Sequence, residues 1–325
     1  MSKHEIDEET EIETETLAGQ EAQPLPLCNH LTDMGDKWFP LLGDPQKMIN
    51  GVIGTTLLQG GTRPAWSVKN AETETMLMAW PENSLLRSSV VVHGGNEAKL
   101  APVAVVPLME GFVNNLTVID SYPWQDGHIG EVLAQPGDDA DPLWFFDPLF
   151  FRDKDVDLTR GVVQPFYLSG MCYMLRRALL DEMTVTTGPN YEAHAAGWLE
   201  ANPGKTRLDV PQLKISLVGL RVLAPTPNCA EYQGRGHIFD VDSFSFGPEG
   251  AEVKVHRFGI TFGATENPFY VVLYASERVC VDGYEPKEND EVDVVFWMQG
   301  RIADIGDEVP GGIESPDIAK DSADQ

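Results

Sequence analysis

The chain says one short strand phrase twice. Phe166-Tyr167-Leu168-Ser169-Gly170 returns 130 positions later as Phe296-Trp297-Met298-Gln299-Gly300, in the order Phe, aromatic, long apolar, polar, Gly. Each copy follows a charged, turn-like segment, 152–161 in one case and 282–290 in the other. A strand phrase duplicated at that distance points to two related β-units rather than to a helical bundle or one wrapped parallel sheet.

The rest of the chain supports a mainly β reading. Strand signals recur at Trp66–Val68, Thr75–Trp80, Ser89–His93, Ala101–Leu108, Leu116–Ile119 and Gly130–Ala134. They continue at Gln164–Leu175, Leu213–Leu223, Gly236–Phe246, Glu252–Gly263, Pro268–Val281 and Glu291–Ile302. Short strands at regular spacing with few long helices predict sandwich or barrel units. The fold class expected is therefore β-rich α+β, with two small barrel- or sandwich-like units. The C-terminal third fits a five-stranded barrel of the oligonucleotide/oligosaccharide-binding (OB) type. Helices are expected after Asp44-Pro45 and over Tyr191–Ala201 with Asn190 as cap, and a helical turn over Arg176–Met183.

Composition shifts divide the chain. Residues 1–30 and 304–325 read as disordered acidic tails. Residues 31–138 read as a mixed α/β segment closed by the turn Pro136-Gly137-Asp138-Asp139, 139–225 as a first β unit with a helix, and 226–303 as a second β unit.

Charge excludes some partners. The formal net charge is −28, with 7 basic and 21 acidic residues in 1–139, 15 and 23 in 140–302, and 1 and 7 in 303–325. Such a surface repels nucleic acid and anionic lipid and favours a basic protein or multiprotein complex. No apolar run reaches the roughly 20 residues of a membrane helix. The four cysteines, Cys28, Cys172, Cys229 and Cys280, lie far apart, as expected of reduced cytoplasmic thiols.

Catalytic signatures are missing. The strand ending in His93-Gly94-Gly95 is similar to the oxyanion segment of esterases, but no Gly-x-Ser-x-Gly nucleophile elbow accompanies it. Gly51–Gly61 lacks the spacing of a phosphate-cradling loop. Cys28-Asn29-His30 lacks an orienting third group. His237, Asp240 and Asp242 cannot converge from one straight strand, so no metal or other cofactor is expected.

What remains are binding candidates. In Glu291–Ile302 the even positions Val292, Val294, Phe296, Met298 and Ile302 form an apolar face. The odd positions place Trp297 beside Gln299 and Arg301, a pattern that suits a stacking platform with polar flanks. The repeat carries this face to Tyr167 and Ser169. Arg235, Lys254 and His256 add a basic patch if they converge with it. Three functions are consistent with these residues. The first is a non-enzymatic acidic scaffold for a basic partner. The second is a single-stranded nucleic-acid binder using the Trp297 face, and the third an enzyme with an unrecognised site.

Overall fold

The computed structural model describes residues 35–43, 55–56, 66–70, 72–95, 100–124, 127–138, 140–154, 158–228, 230–247, 252–264 and 268–303. The expected acidic tails, the helix after Asp44-Pro45, Cys28 and Cys229 lie outside these residues, apart from Asp33–Asp44's described part and the helical pair Thr55-Thr56.

Helix α1 (Gly35–Leu42) precedes an antiparallel sheet in simple order, formed by β1 (Trp66–Lys69), β2 (Thr73–Trp80), β3 (Leu86–Gly95) and β4 (Ala101–Met109). Next come β5 (Phe112–Trp124), β6 (Ile129–Gln135), β7 (Leu143–Asp147), the short helix α2 (Phe150–Asp153) and β8 (Val163–Arg177). An arm follows, with β9 (Glu182–Val185), helix α3 (Pro189–Ala201) and β10 (Leu213–Ser216). The chain then runs through β11 (Val222–Pro225), β12 (Glu231–Phe246), β13 (Val253–Phe262), β14 (Phe269–Ser276) and β15 (Glu291–Ile302).

Strands β5 to β8 and β11 to β15 make one sheet that closes on itself twice. In one ring the neighbours run β12-β13-β14-β8-β15 and back to β12. In the other they run β5-β6-β7-β15-β8 and back to β5. Counted along its own repeat, each ring has the order 1-2-3-5-4-1, with the 3–5 contact parallel and the rest antiparallel. That is the OB-like order of a five-stranded Greek-key barrel. The fourth strand of each ring is the fifth strand of the other: β8 and β15 belong to both. The two units therefore interleave and do not simply follow one another along the chain.

The register explains the repeated phrase. β8 and β15 are antiparallel, and Ser169 lies opposite Gln299, the residue 130 positions on. The two copies thus cross at their own equivalent residue, as a local two-fold axis through the ribbon requires. The glycine that ends each phrase makes room at this crossing. A Cβ on Gly170 would come within 2.5 Å of the Phe296 ring, and one on Gly300 within 2.5 Å of the Phe145 ring.

The even face of β15 lines the ring interior, as its alternation predicts. Val292, Val294, Phe296, Met298 and Ile302 share a core with Phe166, Leu168, Phe258, Ile260 and Leu273. A second core lies on the other side of the sheet. There Met171, Tyr274 and Trp297 meet Trp38, Leu77, Val90, Val91 and Val105 from α1 and the N-terminal sheet. β12 serves both neighbours by bending. Its first part pairs with β15 and its second with β13, and the register shifts at Asp240, whose φ of 50° marks the bulge.

Three local expectations are corrected. Arg176–Met183 forms no helical turn: Arg176 and Arg177 extend β8 opposite Asp293 and Val292, and Glu182 and Met183 begin β9. The helix over 191–201 starts at Pro189 after Gly188, because proline's fixed φ suits the first turn better than Asn190 suits a cap. Leu213–Leu223 is two strands, broken at a turn where Gly219 has a φ of 75°.

Candidate functional site

The ribbon brings five of the eight candidate residues onto one face. Tyr167 and Ser169 of β8 stand opposite Arg301 and Gln299 of β15, with Trp297 opposite Met171. The face is covered. Trp297, Gln299 and Arg301 are each about as buried as the barrel interior, at 2%, 1% and 2% exposure.

Each polar group on that face has a purpose in the cover. β4 is an edge strand of the N-terminal sheet, and its outward backbone groups need partners. Gln299 Nε2 donates to the Pro107 carbonyl at 2.9 Å, and Gln299 Oε1 accepts from the Met109 amide at 3.1 Å. Trp38 Nε1 donates to the Val105 carbonyl on the same edge at 2.9 Å. Ser169 Oγ lies 3.5 Å from the Met109 carbonyl.

Charges close the seam. Glu110, just after β4, receives Arg301 Nη2 at 2.8 Å on one oxygen and Arg87 Nη2 at 2.5 Å on the other. The Arg301 guanidinium also lies over the Tyr167 ring at 4.5 Å and the Trp66 ring at 5.2 Å. At the other end Lys37 of α1 sits 5.7 Å from the Trp297 ring and 5.5 Å from that of Tyr173, and bonds Glu231 at 2.8 Å. Burial raises the Glu231 pKa, but the bonds from Lys37 and Asn228 outweigh it and leave the carboxyl below its ordinary value. Burial, with Arg301 close by, lowers the Arg87 pKa against the pull of Glu110.

The other three candidates do not join this face. Arg235 Nε bonds Asp293 at 2.7 Å and its Nη1 the Leu180 carbonyl at 2.6 Å. Lys254 pairs with Glu285 at 2.7 Å. His256 is buried beside Ser243, 2.8 Å from Nδ1 to Oγ, and burial followed by the Lys254 charge holds it below the usual imidazole value. His237 contacts Glu291 at 3.0 Å, and Arg257 pairs with Asp240 at 2.9 Å. Arg235, His237, Lys254 and Arg257 are thus each held by a carboxylate, and His256 by a hydroxyl. Among the described residues no group of three or more His, Cys, Asp or Glu could hold a metal ion, and no helix is long and apolar enough to cross a membrane.

A carboxyl pair at the end of β7 and in the helix α2 after it was not singled out from sequence. Asp147 and Asp153 are buried at 0% and 1% exposure, near enough for their charges to act on each other, and Asp147 Oδ2 has no hydrogen-bond partner among the described residues. Asp147 Oδ1 accepts from the Leu149 amide at 2.8 Å. Asp153 is gripped by Arg152 and accepts from the Ile302 amide at 3.3 Å, while Arg152 Nη2 donates to the Ile302 carbonyl at 3.0 Å. Burial first, then the Asp153 charge, pushes the Asp147 carboxyl well above its ordinary value, and burial also raises Asp153. A proton on Asp147 removes the repulsion between two buried carboxylates, while Arg152 pairs with the charge on Asp153. Asp153 and Arg152 together act as a latch that fixes the end of β15 at Ile302 to the helix that follows β7. Its only sequence signal is one acid inside the densest aromatic cluster, Trp144–Phe151, with an arginine and a second acid directly after it.

No known protein family matches the chain, and comparison with the curated proteins finds no relative.

Proposed function

We propose that the protein is a non-enzymatic acidic scaffold that binds a basic protein partner or complex. The observation that carries this reading is the fate of its positive charge. Arg235, Lys254, Arg257 and Arg301 are each paired with a carboxylate, and Trp297 lies under the N-terminal sheet. Among the described residues these cations are taken up by local pairs, and the chain as a whole carries an excess of 28 negative charges. Long-range attraction then selects a partner of opposite sign. A cytoplasmic setting fits Cys172 and Cys280, both buried free thiols. Burial holds the Cys280 thiol at a pKa of about 11, far from the reactive thiolate form.

The nucleic-acid reading needs Trp297 uncovered, and the enzymatic reading needs a solvent-reachable group among the buried carboxyls. The experiment is recovery of the tagged full-length chain from its own cells at low salt. The bound protein is then purified and titrated back. A basic partner whose affinity falls as salt rises supports the scaffold. A neutral or acidic partner overturns it, as does saturable quenching of tryptophan emission by a single-stranded oligonucleotide.

A further inference from the structure

The arm between the repeats, residues 178–228, differs from the rest of the molecule in packing and in charge. Among the described residues its ribbon pairs β9 with β10 alone, four residues to a strand, with no further strand on either outer edge. An isolated two-stranded ribbon is marginal in water without further cover. Helix α3 supplies little: of its thirteen residues only Ala195 is buried. The ribbon is nonetheless amphipathic. Glu182, Thr184, Lys214 and Ser216 take one face, with Lys214 bonding Glu182 at 2.7 Å, while Met183, Val185, Leu213 and Ile215 take the other.

Half of the large apolar side chains exposed among the described residues belong to this arm: Leu179, Leu180, Met183, Leu208, Val218 and Val222. Leu208 is 98% exposed, at the tip of a short 3-10 turn. So many exposed apolar side chains within one arm of 51 residues mark it as a contact segment.

Charge decides what covers it. The arm carries five acidic and four basic residues, a net of −1, whereas the chain carries −28. A strongly basic partner gains little there. A second copy of the chain, repelled from every acidic face, meets its least resistance there. An interface of standard size takes roughly 20–30 residues from each side, and an arm of this length can supply them. We propose that the arm is the contact through which two copies of this chain associate, apolar side to apolar side with Leu208 and Leu180 in the interface.

The test is the mass of the full-length chain in solution, followed by analytical ultracentrifugation over concentration and salt. The expected result is a monomer–dimer equilibrium that strengthens as salt rises, because screening relieves the repulsion between two like-charged chains. This is opposite in sign to the salt response expected for a basic partner, so the two proposals fail separately. Leu208→Glu and Leu180→Glu alter exposed side chains and should each weaken the dimer at least about tenfold, near 1.4 kcal/mol. Val163→Glu, exposed but outside the arm, should leave it unchanged. The inference is overturned by a monomer at every concentration and salt, or by a dimer that only Val163→Glu disrupts. It is also overturned if deleting residues 1–34 turns a monomer into a dimer, since the arm's cover would then be the chain's own N-terminal segment.

Discussion

Gly170 and Gly300 occupy positions where the packing leaves no room for a side chain. Each faces into a ring at the crossing of the two repeats, where Phe296 and Phe145 fill the missing volume. Gly170→Ala and Gly300→Ala should each destabilise the fold by about 1–3 kcal/mol through overpacking, read by urea denaturation. Gly197→Ala is the contrast. It lies within α3 with nothing near its would-be Cβ, so it should stabilise by roughly 0.5–1 kcal/mol. Asp147 gives a pH signature. Its folded-state pKa is raised, so the native state holds the proton more tightly than the unfolded chain does. That contribution is full below the unfolded value near about 4 and is lost as pH rises through the raised value. Asp147→Asn keeps the shape of the side chain without a titrating proton. The variant should gain stability relative to the parent as pH rises, measured as the difference between their denaturation midpoints. A constant difference would mean that the Asp147 carboxyl is not raised in the folded state.

At the scale of elements, the N-terminal sheet is held to the ribbon by polar groups at its edge and by one carboxylate between two arginines. Glu110, Arg87 and Arg301 are 13%, 14% and 3% exposed, so the pairing is little weakened by solvent. Glu110→Ala would leave two guanidinium groups facing each other and should cost about 3–5 kcal/mol. It should also admit a soluble quencher to Trp297, which stays shielded in the parent. Alternation made β15 legible in the sequence: Val292, Val294, Phe296, Met298 and Ile302 turn inward as period two requires. The odd face was not legible in the same way. An aromatic flanked by Gln and Arg looks alike whether it awaits a ligand or docks the edge of another sheet. The difference lies in Pro107 and Met109, about 190 residues away. Local breaks were obscured for the same reason: the turn inside Leu213–Leu223 is secured from outside, by the Gly219 amide donating to Glu291.

For the whole molecule, the repeated phrase revealed duplication but not exchange. Two copies of one strand read the same whether each closes its own barrel or completes its neighbour's, because the choice is made by pairings across the chain. Here β15 reaches β7 through Gln299 opposite Phe146, and β8 reaches β14 through Ser169 opposite Val272. Neither ring is complete within its own half, so the two should unfold together in a single transition. The direct test is to divide the chain at the link between repeats, into 1–228 and 229–325, and to follow amide hydrogen exchange in each piece. Interleaved rings predict that β5 to β8 are unprotected in 1–228 alone and regain slow exchange when 229–325 is added. Slow exchange of those strands in the isolated 1–228 piece would contradict the shared ribbon.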